Sequence, residues 1–118
     1  MIKKALKYSL IMLLLPLPVF AQHIHPEKYY QTQWCNENGG TMEYRLKDAT
    51  RVDCLTKDYA VEVGFVDHKY EDVGQSLYYS LMTGKAPGIV TIIDGDKNYR
   101  GHLAVEQALC EHYGIMIG

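Results

Sequence analysis

Apolar and polar positions alternate in short runs through the middle of the chain and recur at helical spacing on either side. Residues 41–46 (T-M-E-Y-R-L), 51–56 (R-V-D-C-L-T) and 59–65 (Y-A-V-E-V-G-F) have the alternating, β-branched and aromatic character of strands. The connections between them, 47–50 and 57–58, are short and polar. Three short strands in succession predict an antiparallel meander. Residues 67–72 are polar and read as a loop. Val73, Leu77 and Leu81 then recur every four residues, which predicts an amphipathic helix with Gly84 as its C-terminal cap and Pro87 barring continuation. Residues 88–93 (G-I-V-T-I-I) are almost continuously apolar, the pattern of a central strand. Asp94-Gly95-Asp96 reads as a turn, and Asn98 as the cap of a last helix with Leu103, Ala104, Ala108 and Leu109 inside. Gly114 stops that helix, and residues 115–117 supply a final strand. Before the meander, Tyr29, Tyr30, Gln33 and Trp34 mark a helix opened by Pro26 and ended at Asn38-Gly39-Gly40. The order α-β-β-β-α-β-α-β predicts an α/β (α+β) domain, a sheet flanked by helices.

The first 21 residues stand outside that pattern. Lys3, Lys4 and Lys7 precede an apolar run at residues 10–15 and a small-residue ending at Ala21, the layout of a secretory signal peptide cleaved before Gln22. Residues 22–118 then form one small domain, periplasmic or secreted from a bacterium, with no stable membrane insertion after cleavage. Export changes the charge. All fourteen acidic residues stay, the basic count falls from twelve to nine, and the net charge goes from −2 to −5. That excludes a general electrostatic pull on nucleic acid unless a metal ion or a local basic patch offsets it.

In an oxidising compartment two of the three cysteines are expected to pair. Three pairings are available. Cys35 with Cys54 is favoured, because each falls in a segment that packs early and centrally, and this leaves Cys110 free. The absence of Cys-x-x-Cys argues against a zinc knuckle or a thioredoxin-like redox site. His23 and His25 read as part of an exposed flexible tail.

If Lys57-Asp58 closes a two-residue hairpin, Cys54 faces Val61 and Asp53 faces Glu62. A four-residue loop keeps the same parity. Val52, Cys54, Val61 and Val63 then share a core face, with Arg51, Asp53 and Glu62 on the other. Opposed like charges on neighbouring strands are destabilising. Either a salt bridge to Arg45, Arg51 or Lys69 compensates, or a divalent cation does, since Mg²⁺ is commonly held by one or two carboxylates with water and phosphate.

The run R-V-D-C-L-T, then Y-A-V-E-V, then G-Q-S-L-Y-Y and T-G-K-x-P-G-I-V resembles the PD-(D/E)XK nuclease superfamily, in a small exported bacterial branch. The resemblance spans Pro26 to Ile117. It implies a restriction endonuclease-like αβββαβ core with a mixed sheet flanked by helices. It also implies Mg²⁺- or Mn²⁺-dependent hydrolysis of phosphodiesters in DNA or RNA. Carried over by position, Asp53 and Glu62 are metal ligands. Gln75 and Tyr79 match a Gln-x-x-x-Tyr pair one helical turn apart. Glu27 or Glu37 matches an acidic residue of the first helix. The motif lysine falls at Gly64, a departure from the pattern. Lysines migrate within this superfamily, and Lys69 is the nearest replacement, with Lys28 and Lys85 as further ones. The alternative expectation is a catalytically inactive nuclease-fold protein that binds a protein or envelope partner.

Overall fold

The computed structural model describes residues 23–95 and 97–118, so the expected signal segment lies outside the described residues. Helix α1 (Glu27–Glu37) leads into strands β1 (Thr41–Arg45), β2 (Arg51–Leu55) and β3 (Tyr59–Phe65). A 3₁₀ turn (Val66–His68), helix α2 (Lys69–Thr83), strand β4 (Ala86–Ile92), helix α3 (Tyr99–Tyr113) and strand β5 (Met116–Ile117) follow. The strands form one mixed sheet in the order β1-β2-β3-β4-β5. The first three are antiparallel, as a meander requires, while β3–β4 and β4–β5 are parallel. Parallel neighbours need a long crossover, and α2 and α3 are those crossovers. Among the described residues no helix is long and apolar enough to cross a membrane.

The loop expected over 67–72 is helical instead. Lys69 to Asp72 make the first turn of α2, where Glu71 and Asp72 suit the positive end of the helix dipole. Its C-terminus is where the sequence puts it: Gly84 takes φ +72°, the left-handed conformation glycine adopts without penalty.

Cys35, Cys54, Val61, Val63, Phe65, Val90 and Ile92 form the core beneath α1, with Tyr30 and Trp34 packed against it. Cys35 and Cys54 are disulfide-bonded with Cα atoms 5.7 Å apart, and Cys110 is free and buried, as expected. A Cβ on Gly40 would lie 2.3 Å from Cys54 Sγ and 2.8 Å from Cys35 Sγ, so only glycine lets the chain pass over the bridge. A second cluster joins Leu46, Val52, Ala60 and Tyr79, and a third joins Val73, Ile89, Cys110 and Ile115.

Expected core positions are corrected on three elements. Val52 packs with Ala60 and Tyr79, not with Cys54. Leu81 is 78% exposed, because α2 turns its Val73-Ser76-Tyr79 side to the sheet. On α3, Ala104 and Ala108 are exposed and Leu103 and Leu109 half-buried, while Glu106 and Cys110 are the buried residues.

The N-terminal histidines do not form a free tail. Asp94 accepts the backbone N–H groups of Ile24 (2.8 Å) and His25 (3.0 Å) and the Tyr30 hydroxyl. Its carbonyl oxygen lies 3.0 Å from His23 Nδ1, and the His23 ring stacks on Phe65 at 3.6 Å.

Candidate carboxylate site

The β2–β3 hairpin positions the two expected carboxylates. Thr56 N–H donates to the Tyr59 carbonyl at 2.9 Å and Thr56 Oγ1 accepts Tyr59 N–H at 3.0 Å, closing a two-residue loop at Lys57-Asp58. The register is Leu55 with Ala60 and Cys54 with Val61. There the backbone ladder ends. Asp53 Oδ2 accepts the Val63 N–H at 2.8 Å, so a side chain takes a strand donor. β2 therefore parts from β3 where the carboxylates meet.

Asp53 and Glu62 are hydrogen-bonded to each other. Glu62 is only 6% exposed. Burial first, then the Asp53 charge and hydrogen bond, hold the Glu62 carboxyl far above the usual carboxylate range. Burial also raises Asp53, partly offset by the hydrogen bonds from Glu62 and Val63. One proton shared between the two resolves their repulsion. Gln75 of α2, its amide nitrogen turned to Glu62, donates to both carboxylate oxygens at 2.9 and 3.1 Å. Gln75 is exposed, so the pair lies one side chain below the surface. Tyr79, one turn on, is buried against Leu46, Val52 and Ala60. Burial, then the Glu62 and Asp53 charges, push its hydroxyl up to about 12.

Helix α1 closes the site from the opposite side. Gln31 Nε2 donates to the Asp53 carbonyl at 2.8 Å and to Glu43 Oε1 at 3.2 Å. Lys28 Nζ donates to Glu43 Oε1 at 2.7 Å, and its charge lowers Asp53. The hydrogen bond from Lys28 holds Glu43 below the usual range. Glu43 has φ +53°, a left-handed conformation that non-glycine residues seldom take. Glu27 is the first-helix acid that faces this group. Burial first, then Asp53, raise its carboxyl.

Lys69 lies elsewhere. Its Nζ is 2.9 Å from His102 Nδ1 and stands over the Tyr70 ring, and its charge acts on Glu106. Lys85 Nζ donates to the Lys57 carbonyl. Among the described residues, the ion pairs are Lys28–Glu43 and His68–Asp67, so the salt bridge from Arg45, Arg51 or Lys69 to the carboxylate pair does not form.

The space of the motif lysine is taken. A Cβ on Gly64 would lie 2.3 Å from Asp72 Oδ2 and 2.5 Å from Oδ1. Asp72 is 4% exposed, and burial, then Glu106, Glu27 and Asp53, push its carboxyl up to about 8. Glu106, fully buried, accepts the Thr91 hydroxyl. Asp72 Oδ2 and Glu106 Oε2 have no hydrogen-bond partner. Neither acid figures in the sequence-based expectation. The one signal for Asp72 is Gly64 itself, since glycine inside a strand marks a close approach. Glu106 gives none: a helical wheel sets it on the apolar face of α3 between Leu103, Leu109 and Cys110.

The donors here are all oxygens, the set a hard divalent cation takes. Among the described residues no group of three or more His, Cys, Asp or Glu side chains is arranged to hold a metal ion. Asp53 and Glu62 would supply two ligands, within the number Mg²⁺ takes from protein when water and phosphate complete its shell. Their mutual repulsion is what such a cation would relieve. No protein-family model, no curated protein and no solved structure matches the chain.

Proposed function

We propose that this chain is an exported member of the PD-(D/E)XK nuclease superfamily that hydrolyses phosphodiester bonds with Mg²⁺ or Mn²⁺. The observation that carries the reading is the buried Asp53–Glu62 pair, hydrogen-bonded together where β2 and β3 part and capped by Gln75. The order α1-β1-β2-β3-α2-β4 agrees with the αβββαβ core expected of the family, and the disulfide agrees with a periplasmic or secreted location. Asp53 and Glu62 would hold the cation. When bound, it supplies Lewis acidity to the phosphoryl oxygen and to the attacking water. Gln75 orients Glu62, and Tyr79 walls the site on the α2 side. Lys28 is the lysine whose charge acts on Asp53, which makes it the better replacement for the motif lysine. Lys69 is engaged with His102.

One observation favours the second reading, a non-catalytic binding module: Asp72 fills the space beside Gly64 where the motif lysine would start. The test is incubation of purified residues 22–118 with plasmid and single-stranded DNA in Mn²⁺ or Mg²⁺, beside Asp53→Ala. Cleavage by the wild type that Asp53→Ala loses supports hydrolysis. Cleavage that survives in the variant, or is absent from both, removes it.

A further inference from the structure

The exported chain is acidic, yet its cations are not spread evenly. Arg45 and Arg51 are direct cross-strand partners in the β1–β2 ladder, and both are exposed. Like charges so opposed are destabilising unless an anion lies between them. Among the described residues no ion pair involves either arginine. Lys47 sits in the turn between these strands, and Lys85 and Lys57 are joined by a hydrogen bond from the Lys85 amine to the Lys57 carbonyl. Three of the nine basic residues left after residue 21, Arg45, Lys47 and Lys85, line one groove.

A groove of about 380 Å³ runs through this region. Its cationic lining residues are Arg45, Lys47 and Lys85, and no acidic residue lines it. Leu46 and Leu55 give it an apolar floor, and Tyr44, 43% exposed, stands at its wall. Leu46 and Leu55 also pack in the cluster of Tyr79, whose hydroxyl feels the Glu62 and Asp53 charges. Tyr79 thus packs against two residues of the groove.

We infer that this groove binds a single-stranded nucleic acid, its phosphates on Arg45, Lys47 and Lys85 and a base against Tyr44. The inference rests on the phosphodiester reading above for its ligand, and on the groove for its residues. Cations alone would suit a duplex equally. An apolar floor and an exposed ring suit unpaired bases, which stack on aromatic side chains irrespective of sequence. The groove's volume is in the range of pockets that enclose small molecules, about 300–1,000 Å³, which suits one nucleotide unit at a time.

The experiment is fluorescence anisotropy with labelled oligothymidylate and a duplex of equal length, in EDTA so that nothing is cut. Wild type and the double variant Arg45→Glu/Lys47→Glu are compared over a salt series. The expected result is binding by wild type, preference for the single strand, and affinity at least about tenfold weaker in the double variant. In Arg45→Gln/Lys47→Gln the log–log salt slope should fall by about 1.4, at about 0.7 for each phosphate that is no longer neutralised. Both replaced residues are exposed, and an unchanged melting temperature certifies the fold of each variant. Equal binding by the charge-reversed protein, no binding by wild type, or preference for the duplex overturns the inference. Cleavage with Mn²⁺ but undiminished binding in the double variant overturns the groove alone. Groove-dependent binding without cleavage overturns the hydrolysis reading alone.

Discussion

The Asp72 carboxylate lies against Gly64 with no room between them for a Cβ. One relationship thus accounts for both a glycine inside β3 and a buried acid on α2. Overpacking a tight site costs about 1–3 kcal/mol, so Gly64→Ala should destabilise the protein by that amount. The cost should largely vanish in an Asp72→Ala background, with a coupling of about 1–3 kcal/mol from a double-mutant cycle in urea. Additive effects would mean that the two residues do not compete for the space. Gly64→Lys should be worse than Gly64→Ala, so reinstating the motif residue alone should not raise activity.

Stability should fall as pH rises from about 4 towards 8. Asp72 has an ordinary value of 3.8 and is pushed up to about 8 in the folded chain, so below 3.8 both states carry its proton. Between these values the unfolded state gives the proton up and the folded state keeps it, so rising pH favours unfolding, by at most about 1.4 kcal/mol per pH unit. The raised Glu62 adds a loss of the same sign. Glu43 and Asp94 are lowered, so their stabilisation is lost at the acid end instead. Urea midpoints across this range should decline in wild type and decline less in Asp72→Asn. A midpoint that climbs from pH 4 to 8 contradicts this account.

Glu62→Gln should separate stability from cation binding. Glutamine can donate to Asp53 in place of the shared proton, so in EDTA the variant should melt at or above the wild-type temperature. Mn²⁺ should raise the wild-type melting temperature, because a ligand of the folded state stabilises it by mass action, and should leave the variant unmoved. A variant that melts lower in EDTA and keeps its Mn²⁺ shift would show that Glu62 is structural.

Reducing the Cys35–Cys54 bridge should cost about 3 kcal/mol, the value expected for a closed loop of this size. The urea midpoint in dithiothreitol gives the number. Gly40→Ala should behave similarly under oxidising conditions, since the new methyl would press on both sulfurs. In reducing buffer its added cost should shrink. A Gly40→Ala protein as stable as wild type when oxidised would refute that close approach.

The order of elements along the chain and the β2–β3 register were legible in the sequence because each depends on local periodicity and short connections, and the disulfide because its two segments pack centrally. Val61, Val63 and Cys54 can share a face in only one parity. The polar start of α2 was not legible, because Lys69 and Asp72 look solvated in sequence and are buried only by α3 and by the absent side chain of Gly64. Glu106 was hidden for the same reason: a buried charge is set by tertiary neighbours such as Thr91 and Lys69, which no spacing rule ties to it. The carboxylate pair itself was legible. Its consequence for the backbone, Asp53 taking the Val63 N–H and ending the ladder, was not.

Asp94 fastens the first described residues to the end of β4 through Ile24, His25, Tyr30 and His23. Mechanically, this makes the start of the chain a strap and not a leash. A pull applied upstream of His23, by a fusion partner, a tag or an anchor, is borne by the turn at Asp94 before it can unwind α1. The Lys28, Gln31 and Glu27 side chains around Asp53 are therefore shielded from whatever tugs on the N-terminus. Replacing Asp94 with alanine would transmit that tension directly to the carboxylate pocket.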